Sequence, residues 1–390
     1  MASVAYPSVR AVPPERLWSL LWAVFFLLLL NIGIALLFRD NEPFVRFRYH
    51  TSYQDVRSVL ETIAQDPRRK VVFLGGSVMW GSSTEDPSRT IPAAFRRHLP
   101  PDVAVYNLGM IGGRPLDSFL LAFLLQGKVD LFVLDYNYQF GAPVARERLL
   151  REPSTYVRLQ ELYHAHAPPL FGAIPGLHTC MEQFDLPLPA APSIGEPTLR
   201  RWMERVLPVL RYKDRINDAL FGQHPLLFIE QAGLHAGDLA AGTLRLRDLF
   251  SVPEEQIDPT PWQPKGTADE AAYRETVEAE VFSGTELLDC QSRAFAQYAS
   301  KQQLPVVTYI LPNNPAMFPG FKASPIHARN IDRLLTLFHG TSVHNLDTQT
   351  LPGSLFTDST HLTPEGNERF ARDLFETIRR DPAVRPLLAN

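Results

Sequence analysis

Short apolar runs alternate along the chain with glycine turns and amphipathic segments. The runs at 71–74, 103–107 and 131–134 are too short for helices. They are rich in β-branched and aromatic residues and close on glycine or a polar residue, as strands buried on both faces do. Leu304–Leu311 and Ser342–Leu346 predict a fourth and a fifth strand. Helical periods fall between them. One lies near 89–98, and another between Pro115 and Gln126 places Leu116, Phe119, Leu120, Phe123 and Leu124 on one face. After Thr363–Pro364, read as N-cap and first helical residue, Phe370, Ala371, Leu374, Phe375 and Ile378 form a third apolar stripe. Strands alternating with helices predict an α/β three-layer sandwich around a five-stranded parallel sheet with right-handed crossovers. Ligands would then lie beyond the carboxyl ends of the strands.

Leu17–Phe38 follows another pattern, with no charged residue throughout. Its roughly 22 residues reach about 33 Å as a helix, against a hydrocarbon core of about 30 Å. Trp18 and Trp22 suit an interfacial end. The competing reading is a cleaved signal peptide, but the run is longer than a usual signal core and no small-x-small site follows before Arg39. The expected organisation is a tail at 1–16, a transmembrane anchor at 17–38 and a neck with a helix at 39–65. An α/β catalytic body at 66–140 and 286–390 encloses a helical and irregular insertion at 141–285. Arg10 and Arg16 precede the apolar run and Arg39, Arg46 and Arg48 follow it, which does not decide orientation. The short tail and large body are compatible with a cytoplasmic amino terminus and an extracytoplasmic, single-pass arrangement.

Candidate chemistry sits where these elements end. Val71–Gly81 reads VVFLGGSVMWG, a strand handing Ser77 to the sheet edge through two glycines. Near the other end stands Asp358-Ser359-Thr360-His361. A carboxylate three residues before a histidine can hold one imidazole nitrogen, leaving the other to take a proton from an alcohol. Serine is a poor nucleophile without such a neighbour. Attack on an acyl carbonyl also needs donors for the developing oxyanion. The backbone N–H groups of Ser77 and Gly112 and the Asn137 side chain are candidates, from glycine loop 109–113 and the end of strand 131–134. Gly112 as a plain turn residue and Asn137 as a strand-end cap are the alternatives.

Taken in order, these four blocks resemble the SGNH hydrolase superfamily, with Ser77, Gly112, Asn137 and the Asp358–His361 pair at the matching positions. The match covers about residues 66–140 and 286–380 and is closest at DSTHLTPEG. Two blocks depart from the family pattern. Gly75-Gly76-Ser77 stands for Gly-Asp-Ser, and Asp135-Tyr136-Asn137-Tyr138 stands for Gly-x-Asn-Asp, with Gln139 an alternative to Asn137. The resemblance implies a flavodoxin-like body and a Ser77–His361–Asp358 triad with no metal and no cofactor. With the amino-terminal anchor, Pro312-Asn313-Asn314-Pro315 and the final motif, the chain is similar to the membrane-anchored D-alanyl-transfer and alginate O-acetylation subgroup. That implies an O-acyltransferase, with acetyl the expected group, taking an acyl donor and a polysaccharide acceptor. A multi-spanning membrane O-acyltransferase is the implied partner. An anchored esterase of a glycan or lipid, and a non-catalytic subunit of a glycan-modification complex, are the alternatives.

Composition narrows the field further. The chain has 390 residues, 45% hydrophobic and 21% charged, enough for one large core plus an insertion. A net charge of −4 gives no basic footprint for nucleic acid. In the insertion, Trp202, Phe221, Phe228, Phe250 and Trp262 are either core or the lining of an acceptor groove. His164 and His166 have no carboxylate cluster or cysteine pair to complete a metal site. Asn313 and Asn314 either touch a ligand at the sheet edge or make a turn. Cys180 and Cys290 are a disulfide or two buried thiols, and sequence separation does not choose between them.

Overall fold

The structure is a computed structural model that describes residues 14–37, 53–84, 86–111, 113, 115–136, 170–183, 258–267, 286–347, 351–382 and 384–388, with isolated positions between 203 and 275. By internal contacts the chain forms two units. One combines Met1–Asp40 with Ser193–Phe250, and the other comprises Asn41–Pro192 and Ser251–Asn390.

The larger unit is built on one parallel sheet. Its strands are β1 (Arg69–Gly75), β2 (Val103–Gly109), β3 (Leu131–Tyr136), β4 (Val306–Ile310) and β5 (Ser342–Asn345), in the order β2-β1-β3-β4-β5. All four pairings are parallel, and each expected strand is present. Because successive side chains of a strand point to opposite faces, the continuous apolar runs feed two cores. Val72, Leu74, Tyr106, Phe132, Leu134 and Ile310 face one of them. Val71, Phe73, Val105, Val133, Val307 and Tyr309 face the other.

Among the described residues the α-helices are α1 (Pro14–Leu37), α2 (Tyr53–Gln65), α3 (Ser77–Trp80), α4 (Ile91–Arg96), α5 (Pro115–Leu124), α6 (Pro175–Gln183), α7 (Pro208–Arg211), α8 (Glu286–Lys301), α9 (Pro325–Leu337), α10 (Pro364–Ile378) and α11 (Arg385–Leu388). Helices α2, α5, α8 and α9 cover the first face through Val59, Phe119, Phe295 and Leu334. Helices α4 and α10 cover the second through Phe95, Phe370 and Leu374. The expected three-layer sandwich is therefore present. In this order β2 is added on one side of β1 and β3 to β5 on the other, so the switch point lies between β1 and β3, where open α/β sheets form their binding crevice. Cys180 of α6 and Cys290 of α8 are joined as a disulfide, with Cα atoms 5.8 Å apart. The question left by the sequence is thereby answered.

In the smaller unit, α1 exposes Trp18, Leu21, Trp22, Phe25 and Phe26, among others. Asn31 is buried: its Nδ2 donates to Leu27 O at 2.7 Å, and its Oδ1 accepts the Val209 N–H of α7 at 3.0 Å. Among the described residues no helix is long and apolar enough to cross a membrane. The transmembrane anchor expected at 17–38 therefore finds no support among the described residues.

Candidate active site

The turn that carries Ser77, the expected nucleophile, is positioned by β1. Its run ends at Gly75, Gly76 caps a short helix in extended conformation, and Ser77 is the first residue of α3. Trp80 N–H donates to Gly76 O at 3.0 Å, which closes that turn. The Ser77 N–H therefore belongs to the first-turn amides that have no acceptor within their own helix. Helix α3 lies so close to β2 that a β-carbon on Gly109 would stand 2.5 Å from Trp80 N. Asn107 fastens the two elements: its Nδ2 donates to Met79 O at 2.8 Å, and its Oδ1 accepts the Gly109 N–H at 2.9 Å.

Asp358 and His361, the expected acid–base pair, are presented by a short hairpin-like loop. Phe356 and Leu362 bridge antiparallel, and Thr357 N–H donates to His361 O at 2.9 Å. Within the loop, Asp358 Oδ1 accepts the N–H groups of Thr360 at 2.9 Å and His361 at 2.8 Å. The turn thus orients the carboxylate through its own backbone. The loop then runs into α10, where Thr363 Oγ1 accepts the Gly366 N–H at 3.0 Å and Pro364 takes the first turn, as expected. Ser83 Oγ, on the nucleophile side, donates to Leu362 O and ties the two segments together.

Ser77 Oγ and His361 Nε2 lie 2.7 Å apart although 284 positions separate them in sequence. His361 Nδ1 and Asp358 Oδ2 are also 2.7 Å apart. A carboxylate facing Nδ1 requires the proton there, so Nε2 presents its lone pair to the serine hydroxyl. Burial works to raise the Asp358 carboxyl pKa. The His361 side chain and the two loop N–H groups outweigh it, so the group lies below the usual carboxylate value and stays ionised at neutral pH. The His361 side chain is 14% exposed and that of Asp358 36%, so the site opens to solvent.

Ser77, Asp358 and His361 are therefore brought together. Gly112, Asn137 and its alternative Gln139 lie outside the described residues, as do His164, His166, Trp202, Phe221, Phe228 and Phe250. The second glycine block nevertheless reaches the nucleophile turn. Met110 N–H donates to Gly75 O at 3.0 Å, and a β-carbon on Gly113 would stand 2.9 Å from the same carbonyl. Trp262 packs partly buried against the core, with its N–H on Phe356 O at 2.7 Å at the base of the Asp358–His361 loop. No His, Cys, Asp or Glu grouping able to hold a metal occurs among the described residues.

Two residues take roles that the sequence reading did not assign. Asp135 is buried beside the nucleophile turn, its carboxylate accepting the Gly76 N–H at 3.2 and 3.3 Å. Desolvation pushes its pKa up to about 7 against the opposing effect of that bond. The available signal was a lone charge inside the apolar run LFVLDY. Asn314, fully buried, donates through Nδ2 to Asp358 O at 2.9 Å.

No protein-family profile matches the chain, and no curated protein matches it. Among solved structures, a carbohydrate acetylesterase family member from Sinorhizobium meliloti aligns over 80% of this chain and 98% of its own. The identity is 13% and the TM-score 0.28. A likeness of that size carries no argument, and the site stands on its own geometry.

Proposed function

We propose that the protein is a membrane-anchored, serine-dependent O-acyltransferase, acetyl being the expected group, acting on an extracytoplasmic polysaccharide through an acyl-serine intermediate. The single observation that carries this reading is the hydrogen-bonded series Ser77–His361–Asp358, with both links at 2.7 Å. As Ser77 Oγ bonds to the donor's acyl carbon, its proton passes to His361 Nε2. Asp358 stabilises the imidazolium without taking its proton. The oxyanion is held by the Ser77 N–H, with Gly112 and Asn137 the expected further donors. Collapse expels the donor's leaving group, which takes the proton from His361 and leaves the acyl-serine. An acceptor hydroxyl then gives its proton to His361 and attacks the ester. The second collapse returns that proton to Ser77 and releases the acylated glycan.

Three features support the cellular setting. The Leu17–Phe38 run suits an anchor. The Cys180–Cys290 disulfide suits an oxidising compartment. The resemblance at residues 66–140 and 286–380 supports glycan O-acylation and a multi-spanning acyltransferase as donor partner.

The test uses the full chain in detergent with an aryl acetate, with and without a deacetylated polysaccharide. Acceptor-dependent acetyl transfer is expected, together with a loss of about 10³-fold or more in Ser77→Ala. Acetate release unaffected by polysaccharide would replace transfer with hydrolysis. Full activity in Ser77→Ala, or none in the unaltered chain, would leave a non-catalytic subunit.

A further inference from the structure

Behind the Asp358–His361 loop lies a second buried polar network that the proposed chemistry does not use. Its centre is Asp347, just after β5, with no exposed surface. Its Oδ1 accepts the Asn313 N–H at 2.6 Å and lies 3.0 Å from Lys322 Nζ. Its Oδ2 lies 2.6 Å from His327 Nε2 in the first turns of α9. Lys322 Nζ also donates to Asp347 O at 2.5 Å, so one side chain grips both the carboxylate and the backbone. Burial alone would push the Asp347 carboxyl up. The His327 bond, the Lys322 charge and the Asn313 N–H bring it below the usual carboxylate value, which keeps it ionised. A buried carboxylate held from three sides is a rigid point in the fold.

The network leads to the catalytic loop through one peptide step. Asn313 is bound to Asp347, and its neighbour Asn314 is fully buried. Asn314 donates twice into the loop, from its backbone N–H to Ser359 O at 2.9 Å and from Nδ2 to Asp358 O at 2.9 Å. Its Oδ1 accepts the Ala316 N–H at 2.9 Å, which fixes the orientation of the amide, since only Nδ2 can then donate to Asp358. Both bonds reach the peptide groups next to the Asp358 side chain. That carboxylate is 36% exposed, so burial does not hold it in place. Its aim at His361 depends on its backbone.

We propose that Asn314 is a positioning residue of the acid–base pair, clamping the Asp358 peptide to the rigid Asp347–His327–Lys322 network so that Asp358 meets His361 Nδ1. This rests on the triad reading above and adds the residues that hold the triad's acid. Without the Nδ2 donor the loop keeps its own turn, the Asn314 N–H bond to Ser359 O and the Ser83 bond to Leu362 O, but the Asp358 peptide loses its side-chain tie to the body. The His361 ring then samples orientations in which Nε2 misses the serine hydroxyl. Because a misplacement of about 1 Å lowers rates about 100-fold, the effect belongs in kcat and leaves substrate affinity unchanged.

The decisive variant is Asn314→Asp, which keeps the size and the acceptor facing Ala316 but replaces the donor with a second acceptor. On an aryl acetate with the full chain, kcat should fall about 10- to 100-fold with KM within about twofold. The far-downfield proton NMR resonance of the His361 Nδ1–H should weaken or vanish at temperatures where the variant is still fully folded. Asn314→Ser, which can still donate, should restore part of both signals. Asp347→Asn should act in the same direction as Asn314→Asp. Unchanged kcat together with an unchanged resonance in Asn314→Asp would overturn the proposal. So would an activity loss that merely follows the folded fraction. Should Ser77→Ala prove fully active, the catalytic reading fails instead. The resonance needs no turnover, so it still decides whether Asn314 positions the pair.

Discussion

The carboxylate of Asp135 stands where a side chain on Gly75 would have to go. The two residues lie at the carboxyl ends of neighbouring parallel strands, and Asp135 also accepts the N–H of Gly76, the residue before Ser77. The turn that delivers Ser77 is thus folded around a buried acid. Glycine at 75 is demanded by that contact, and the resulting geometry fixes the height at which the serine leaves the sheet.

Gly75→Ala should therefore be severely destabilising. Its β-carbon meets the Asp135 side chain with no room to relax, since both strands are fully buried at this level. Overpacking of this kind costs about 3 kcal/mol or more. Urea unfolding of Gly75→Ala, Asp135→Ala and the double variant checks the cause. The double variant should recover part of the loss, because it removes the group the methyl collides with. Strict additivity of the two single changes would reject the contact as the source.

Asp135 should also give stability a pH dependence of its own. Its folded pKa is about 7, well above the value near 4 of an unfolded aspartate. Between those values the folded chain holds a proton that the unfolded chain has released. The contribution is complete below about pH 4 and is lost as pH rises through about 7. Relative to Asp135→Asn, the parent should lose about 3 kcal/mol between pH 5 and pH 8. Thermal unfolding of both proteins at these two pH values, at equal ionic strength, measures it. Parallel pH profiles would show that Asp135 is ionised throughout.

What the sequence revealed, and what it hid, divides along physical lines. Strands β1, β2 and β3 were legible because burial on both faces leaves continuous apolar runs with no other reading at that length. Asp358 and His361 were legible because their contact is local, three residues apart, and the helix signals of Thr363 and Pro364 follow directly. The role of Asn314 was not legible. A pair of asparagines after a strand looks the same whether it turns the chain or clamps a loop, and its partner lies 44 positions away. Cys180 and Cys290, 110 positions apart, were undecided for the same reason. Helices α8 and α9 form without having been singled out, their amphipathic faces set by the sheet they cover.

The disulfide should be a major support of the larger unit. It joins α6 to α8 across a separation of 110 residues, and closing a loop of that length restricts the unfolded chain by about 4 kcal/mol or more. Helix α8 packs on the same core as α5 and β3, so loosening it reaches the centre of the sandwich. Paired Cys180→Ser and Cys290→Ser changes should lower the unfolding free energy by about that amount, and reduction of the parent should do the same. Urea titrations with and without reductant would show it. A parent indifferent to reductant would mean that the bridge contributes nothing to stability.

The proposed reading of Leu17–Phe38 as an anchor predicts a segment that is kept. Leu28 and Leu29 lie in the middle of α1 with their side chains exposed, and no charge interrupts the run from Leu17 to Phe38. In a bilayer those side chains meet hydrocarbon, and an arginine at the centre of a span costs about 3 kcal/mol. Leu28→Arg combined with Leu29→Arg should therefore release the chain from membranes, whereas the parent should stay with the pellet through an alkaline carbonate wash. Intact-mass measurement of the pelleted protein separates an anchor from a signal peptide. A mass that includes residues 17–38 supports retention, and one that begins beyond Arg39 means the segment was removed. A parent found wholly in the soluble fraction with those residues still present would reject anchoring by this segment.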